Sequence, residues 1–203
     1  MIGIVDYNMG NLASVINAFA KMGVDATLES DPTKLDQYDK LILPGVGAFG
    51  DAMEHLKVNG MDKAVITYAK TGKPLLGICL GMQLLFESSE EFGSTQGLGL
   101  IPGKVVAFNE AKFDHPQKVP HMGWNELFVQ KESALFAELK KDFYLYFVHS
   151  YHAVCDDKYA IGRTHYGYEF VSAVQNDNIY GIQPHPEKSH ENGLQIIENF
   201  AKL

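Results

Sequence analysis

Cysteine is scarce in this sequence of 203 residues, because only Cys79 and Cys155 are present, 76 positions apart. Two thiols at that separation do not build a disulfide framework, so we expect a reducing, cytoplasmic compartment and assign Cys155 to the core. Basic residues are also too few for a nucleic-acid surface, since 17 lysines and arginines stand against 25 acidic residues and the net charge is −8. No hydrophobic run approaches transmembrane length, and the first residues lack the basic group of a signal peptide.

The composition that remains is that of an ordinary globular protein, with 46% hydrophobic and 21% charged residues. No internal repeat, low-complexity tract or linker interrupts the chain. We therefore predict a single domain over residues 1–203, long enough to bury a substantial core.

Strands alternate with helices in the first half of the chain. The predicted strands are 2–6, 24–29, 39–43 and 75–78, and the predicted helices are 12–22, 51–56, 61–70 and a last one from Met82 through Phe86. This alternation is typical of βαβ units, and hence of a parallel sheet covered on both faces.

The pattern changes after Glu87. Residues 88–100 are polar and rich in glycine, so they are predicted to form a loop. Strands then dominate, at 101–108, 126–130, 143–148, 159–164, 170–175 and 179–182, with a short helical stretch at 134–139 and a terminal helix at 193–202. The sequence thus predicts an α/β fold, a doubly wound and mostly parallel central sheet flanked by helices, with additional antiparallel strands in the C-terminal half.

Cys79 lies in Gly77-Ile-Cys-Leu-Gly81, between a strand and a helix, which is the thiol form of a nucleophile elbow. Glycine on both sides allows the backbone to turn sharply beside the nucleophile. The corner places Cys79 at a helix N-terminus, which favours a thiolate, and the N–H of Leu80 can donate to an oxyanion. A lone cysteine is more often a small buried hydrophobe, but the two glycines favour the nucleophile.

His185 and Glu187 follow the strand 179–182, in Gln183-Pro-His-Pro-Glu187. Residues two apart in an extended segment share a face, so the carboxylate can hold the imidazole in one tautomer while the other ring nitrogen faces a thiol. This is the logic of a catalytic triad in the order Cys, His, Glu. A His-x-Glu pair by itself is usually only a solvated strand end.

The loop Pro44-Gly-Val-Gly47 follows the strand 39–43. Such a loop is usually only a turn, but ligands of doubly wound sheets bind at the carboxyl ends of the strands, where this loop and the elbow both lie. A backbone N–H of Val46 or Gly47 can then join that of Leu80 around an oxyanion.

These three stretches together resemble the class I (triad) glutamine amidotransferases, whose fold is flavodoxin-like. Further stretches narrow the resemblance to the glutaminase subunits of imidazole glycerol phosphate synthases: Asp6-Tyr-Asn-Met-Gly-Asn-Leu12, Pro44-Gly-Val-Gly-Ala-Phe-Gly-Asp51, Gly97-Leu-Gly-Leu-Ile-Pro-Gly103, Val119-Pro-His-Met-Gly-Trp-Asn125, Tyr146-Phe-Val-His-Ser-Tyr151 and Glu187-Lys-Ser189. The match runs from the first strand to the last helix.

The resemblance implies that glutamine is hydrolysed to glutamate and ammonia through a thioester on Cys79, with His185 as the base and Glu187 as its orienting group. It implies that Gly47, Gln83 and the run His149-Ser150-Tyr151 contact glutamine. It also implies a separate (β/α)₈ cyclase as partner in a heterodimer. The resemblance implies that the cyclase binds a phosphoribosyl-formimino nucleotide and combines it with the ammonia. The products are imidazole glycerol phosphate and an aminoimidazole carboxamide ribonucleotide, for histidine biosynthesis. We expect neither a cofactor nor a metal.

The positions that match the partner-facing side of the family are Asn8, Asn11, Met122, Trp124, Tyr146 and Lys188. Each has a plainer alternative: Asn8 or Asn11 could cap the first helix, Trp124 could belong to the core, and Lys188 could be a solvated charge. One departure is Pro184, which stands where the family usually has a phenylalanine before the histidine. Because proline lacks an N–H and fixes its own φ, the approach of His185 to Cys79 can differ from that of the family.

Two rival functions are a glutaminase serving another synthase, such as the one that makes pyridoxal phosphate, and an inactive docking subunit. The stretch 119–125 and the loop that holds Asn8 and Asn11 speak against the first rival. The presence of all three triad residue types speaks against the second.

Overall fold

The computed structural model describes all residues, 1–203. The strands are β1 (Ile2–Val5), β2 (Ala26–Glu29), β3 (Lys40–Leu43), β4 (Leu75–Ile78), β5 (Phe86–Ser89), β6 (Thr95–Gln96), β7 (Ile101–Ala107), β8 (His121–Val129), β9 (Asp142–His149), β10 (Tyr151–Val154), β11 (Ala160–Tyr166), β12 (Tyr168–Asn176) and β13 (Ile179–Ile182). The helices are α1 (Leu12–Lys21), α2 (Phe49–Val58), α3 (Met61–Ala69), α4 (Leu80–Leu84) and α5 (His190–Lys202), and short 3-10 segments lie at Pro32–Gln37, Glu110–Lys112, Ala134–Phe136 and Pro186–Lys188.

Five parallel strands form the central part of the sheet, in the order β2-β1-β3-β4-β13. Successive side chains on these strands point to opposite faces: Leu41 and Leu43 pack into one hydrophobic core with α2 and α3, while Ile42 packs into another with α1 and α5. Both faces are therefore covered by helices, and the predicted doubly wound parallel sheet is confirmed.

The antiparallel strands extend this sheet beyond β13. β12 pairs with β13 and β10, and β10 pairs with β7, all in antiparallel orientation. A second branch runs from β12 through β11 and β8 to β9, again antiparallel throughout. The predicted antiparallel addition in the C-terminal half is therefore also confirmed.

The prediction for residues 82–100 is wrong in two respects. The helix after Cys79 ends at Leu84, and Phe86 begins strand β5, which pairs in parallel with β7. The predicted loop 88–100 contains the end of β5 and all of β6. The physical reason is that the Leu84 and Leu85 carbonyls accept hydrogen bonds from the N–H groups of Leu98 and Leu100. These carbonyls are therefore not available for the hydrogen bonds by which the helix would continue.

Other differences are smaller. β8 begins at His121 rather than at residue 126, because it pairs with β9 along its whole length. The predicted helical stretch 134–139 is only the 3-10 turn Ala134–Phe136, and β10 was not predicted. None of the helices is both long and apolar enough to cross a membrane.

Candidate active site

Cys79 occupies a strained corner between β4 and α4, with φ 53° and ψ −112°. A non-glycine residue with positive φ is uncommon, and such strain is concentrated at functional sites. The glycines on either side are required by space: a Cβ on Gly77 would lie 2.6 Å from the Gly81 carbonyl oxygen, and a Cβ on Gly81 would lie 1.8 Å from the Leu43 carbonyl oxygen. The predicted elbow geometry is thus enforced by contact with strand β3 as well as by the turn itself.

The carboxyl ends of β4 and β13 lie level with each other. Gly77 is paired with Gly181, and one step beyond the strands the Cys79 N–H donates to the Ile182 carbonyl at 2.8 Å. His185 follows three residues after Ile182 in the chain. Parallel pairing therefore carries the predicted base to the same edge of the sheet as the thiol.

His185 is held in place by one contact of its side chain and one of its backbone. Its Nδ1 lies 2.7 Å from the Glu187 Oε1, and both side chains are 2% exposed. Its backbone N–H donates to the Tyr146 carbonyl at 2.9 Å, which ties the segment to β9. Pro184 removes a neighbouring donor, yet it leaves both of these contacts in place.

The Cys79 sulfur acts directly on the imidazole. Burial lowers the pKa of His185, but the nearby Cys79 sulfur, and then the Glu187 carboxylate, outweigh burial and raise this pKa to about 10. At the same time the buried His185 Nε2 and Glu187 Oε2 have no hydrogen-bond partner of standard geometry. Since Nδ1 is taken by Glu187, Nε2 is the ring nitrogen left to accept a proton from the thiol.

A cavity of about 250 Å³ opens over the sulfur. The residues that line it are Val46, Gly47, Cys79, Leu80, Gln83, Glu91, Val148, His149, Ser150, Tyr151 and His185. The structure therefore brings together every predicted catalytic, oxyanion and glutamine-contacting residue except Glu187, which lies behind His185. A larger cavity of about 500 Å³ surrounds the 3-10 turn Ala134–Phe136 and contains none of these residues.

The predicted oxyanion donors belong to two segments that line the cavity with Cys79, the start of α4 and the loop after β3. Leu80 is the first residue of α4. The N–H groups of Val46 and Gly47 donate to no acceptor of the chain, and Gly47 has a φ of 96° that favours glycine. A Cβ on Gly45 would lie 3.1 Å from the Leu80 Cβ and 3.2 Å from the Gly81 nitrogen, so this loop passes close to the elbow. The N–H groups of Val46 and Gly47 are therefore free to serve a ligand beside Cys79.

The predicted glutamine contacts differ in what their side chains can offer. Gln83 donates from Nε2 to the Tyr151 carbonyl and to the Gln183 Oε1, both at 3.1 Å, and its own Oε1 accepts no hydrogen bond. His149 has no free ring nitrogen, because Nδ1 lies 2.8 Å from the Tyr151 carbonyl oxygen and Nε2 lies 2.9 Å from the His121 Nδ1. Burial holds the pKa of His149 well below its usual value. A hydrogen bond from His149 to a ligand must therefore come from its backbone.

Sequence reasoning missed Glu91 and Gln183. Glu91 lines the cavity, its Oε2 accepts from the Phe49 N–H at 2.8 Å, and burial raises its pKa. It lies in the stretch that was predicted to be a loop, and no local pattern marks it. The Gln183 Nε2 lies 3.7 Å from the Cys79 sulfur. Its position two residues before His185, on the same face of an extended segment, was a usable signal.

Four of the six predicted partner-facing residues are exposed, and the other two, Asn11 and Tyr146, are half-buried. Met122 and Trp124 are 62% and 47% exposed, and Trp124 lies directly across from Tyr146 on β9. Lys188 is exposed, and Asn8 is exposed with a positive φ. Asn11 occupies the N-cap position of α1, but neither asparagine makes a side-chain capping hydrogen bond, so the capping alternative is not realised. Trp124 is not in the core, and its ring stacks on His190.

Comparisons with known proteins agree on one family. The family described as glutamine amidotransferase class-I matches residues 3–203. A protein of Sulfurimonas denitrificans called imidazole glycerol phosphate synthase subunit HisH is 70% identical, covering 100% of this chain and 98% of its own length. A protein of the same name from Wolinella succinogenes is 56% identical, with 100% of both chains covered. The structure titled PurLQS from Thermotoga maritima shares the fold, with a TM-score of 0.78 at 22% identity over 99% of this chain and 97% of that chain.

Proposed function

The chain belongs to the class I glutamine amidotransferase family, and from this premise we propose that it is the glutaminase subunit of an imidazole glycerol phosphate synthase. In this proposal glutamine is hydrolysed to glutamate and ammonia by Cys79, His185 and Glu187. The observation that supports it best is the convergence of a strained cysteine and a carboxylate-bound histidine at the ends of two paired strands. One domain, residues 1–203, carries the whole site.

The reaction begins with transfer of the thiol proton of Cys79 to His185, whose raised pKa lets it keep that proton. The sulfur attacks the carboxamide carbon of glutamine, and the oxyanion that forms is stabilised by backbone N–H groups of Leu80 and of Val46 or Gly47. When the tetrahedral intermediate collapses, the C–N bond breaks and His185 gives its proton to the leaving ammonia. A glutamyl thioester remains on Cys79.

Water then hydrolyses the thioester. His185 takes a proton from the attacking water, and a second oxyanion forms in the same place. The C–S bond then breaks, glutamate leaves, and His185 returns its proton to the sulfur to restore the thiol. Glu187 keeps the imidazole in the tautomer that presents Nε2 to the sulfur, because it accepts from Nδ1 throughout. It also stabilises the imidazolium between the two proton transfers.

Recognition of glutamine needs an acceptor for its ammonium group. Glu91 and the free Gln83 Oε1 supply this at the cavity wall. His149, Ser150 and Tyr151 also line the cavity. Their backbone groups, together with Gly47, are assigned to the remaining polar groups of glutamine. The cavity volume of about 250 Å³ suits an amino acid.

The partner in this proposal is a separate (β/α)₈ cyclase, which takes the ammonia for imidazole glycerol phosphate synthesis in the cytoplasm, within histidine biosynthesis. Its docking surface comprises Asn8, Asn11, Met122, Trp124, Tyr146 and Lys188. An exposed tryptophan and methionine beside a tyrosine are the residue types enriched at the centres of protein interfaces.

The test is to measure glutamate formation from glutamine with the purified cyclase and its nucleotide ligand. Cys79→Ala is expected to abolish glutamate formation while the variant still co-elutes with the cyclase. The matched control Cys155→Ala removes the other thiol, which does not line the cavity, and should retain activity. Glutamate formation by Cys79→Ala at the wild-type rate would overturn the assignment of the nucleophile.

A further inference from the structure

A backbone carbonyl determines the orientation of two buried amide side chains beside the nucleophile. The Tyr151 carbonyl oxygen lies 3.1 Å from the Gln83 Nε2 and 2.8 Å from the His149 Nδ1. A carbonyl can only accept, so the NH₂ group of Gln83 and the Nδ1–H of His149 must both face it. The same NH₂ group of Gln83 is 3.1 Å from the Gln183 Oε1 and is its donor. The Gln183 amide is therefore also oriented, with its own NH₂ group at the opposite end.

That NH₂ group faces the reactive sulfur. The Gln183 Nε2 lies 3.7 Å from the Cys79 Sγ, and Gln183 is completely buried. The Val148 carbonyl oxygen lies 4.0 Å from the same sulfur and can accept from the thiol. When the sulfur loses its proton, the Val148 carbonyl no longer has a hydrogen to accept, whereas the Gln183 N–H gains a charged acceptor.

We propose that Gln183 is a further catalytic residue, which donates an N–H to the Cys79 sulfur and stabilises its thiolate, and that Gln83 is the positioning residue that keeps this donor aimed. The inference rests on the proposed role of Cys79 as nucleophile. The attack on glutamine is unchanged: the thiol proton still goes to His185, and Gln183 neither gains nor loses a proton. Gln83 thus acts on both reactants, since its Oε1 is available to glutamine and its NH₂ group orients the donor to the sulfur.

The other titratable groups around the sulfur belong to different elements and stay in place when Gln183 is changed. They are His185 with Glu187 behind it, Tyr7 beyond the end of β1, and Glu91 and His149 on the cavity wall. A change in the pH dependence of sulfur reactivity on substitution of Gln183 therefore reports the lost N–H donor.

The experiment measures the rate of alkylation of Cys79 by iodoacetamide as a function of pH, in a Cys155→Ala background so that one thiol remains. Gln183→Met keeps the length of the side chain and removes the donor. We expect the pH of half-maximal rate to rise by about 0.7, a fivefold loss of thiolate at a pH below the midpoint, which equals about 1 kcal/mol. Gln83→Met should shift it in the same direction by less, because the Gln183 amide is then free to turn.

The matched control is Gln175→Met, which removes a hydrogen-bonded amide from β12 without any contact with the cavity, and it should leave the pH of half-maximal rate unchanged. An unchanged or lowered midpoint in folded Gln183→Met overturns the proposal. Should Gln183→Met not fold, an unchanged midpoint in Gln83→Met does the same. Glutamate formation by the wild-type complex tests the proposed function separately, because alkylation requires no turnover of glutamine.

Discussion

Acidification should destabilise the protein through His121, a buried histidine at the start of β8. The ring is 2% exposed and stacks against Phe147 and Tyr166, with ring centroids 4.7 and 4.1 Å away. Its Nδ1 contacts the His149 Nε2 and its Nε2 contacts the Asn125 Nδ2. Both nitrogens are thus used by the neutral ring, and burial lowers the pKa of His121 to about 4.

The sign and size of this change in the free energy of unfolding follow from the linkage between proton binding and folding. The folded state binds this proton less readily than the unfolded chain, whose histidine pKa is about 6.5, so stability is complete above about pH 6.5 and is lost as the pH falls towards 4. Between about pH 7.5 and pH 5 the loss from His121 alone is about 2 kcal/mol. His185 acts in the opposite sense, because its raised pKa adds stability that is complete below about pH 6.5 and is lost as the pH rises towards 10. Burial also lowers the pKa values of His149 and His152, so these two histidines add to the acid sensitivity. A variant is therefore needed to isolate the contribution of His121.

The assay is urea unfolding at both pH values, for the wild type and for His121→Phe. The variant is expected to be less stable at both pH values because it loses two hydrogen bonds. Its free energy of unfolding should fall by about 2 kcal/mol less than that of the wild type between the higher and the lower pH. The exposed His55 provides the control: His55→Gln should retain the wild-type change. Equal pH dependence in His121→Phe and the wild type would refute the assignment of a buried neutral imidazole at this position.

Three further predictions concern the elbow, the docking surface and the oxyanion loop. Gly81→Ala places a Cβ 1.8 Å from the Leu43 carbonyl oxygen, so it should lower the melting temperature sharply or prevent folding. The control is Gly50→Ala within α2, whose new Cβ would meet nothing closer than 3.6 Å and which should be neutral or stabilising. Equal melting temperatures of the two variants would contradict the close approach at Gly81. Trp124→Ala should weaken binding of the cyclase by about 2 kcal/mol or more in calorimetry, and Phe92→Ala, which removes another exposed aromatic ring, should not. The isolated chain should be a slow glutaminase that is accelerated by cyclase plus its ligand, because the Val46-Gly47 peptide has no acceptor to hold its orientation; equal rates with and without the cyclase would exclude that explanation.

The parts of the site that could be predicted from sequence are those encoded locally. The elbow can be identified from five consecutive residues, because only glycine fits sterically at the two flanking positions. The pairing of His185 with Glu187 follows from the geometry of an extended segment alone. The alternation of strands and helices then places both at one edge of a parallel sheet. These inferences require no knowledge of which distant side chains meet.

The contacts that escaped prediction join residues far apart in the chain. Gln83 and Gln183 are 100 positions apart, and the His121–His149 pair depends on the register of β8 with β9. Glu91 lies in a segment whose glycines and polar residues predict a loop, although the segment contains the end of β5 and all of β6. The apolar periodicity through Phe86 predicts a longer helix. Periodicity does not reveal that residues 98 and 100 donate hydrogen bonds to the carbonyls at the end of the helix.

In the proposed reaction Cys79 attacks glutamine and carries a covalent intermediate. The most direct test is acid quenching of the complex with the cyclase within the first turnovers, followed by mass spectrometry of the peptides. We expect a peptide containing Cys79 that is heavier by one glutamyl group and loses this group on treatment with hydroxylamine. Steady glutamate formation with no adduct on Cys79, or with the adduct on another residue, would contradict it.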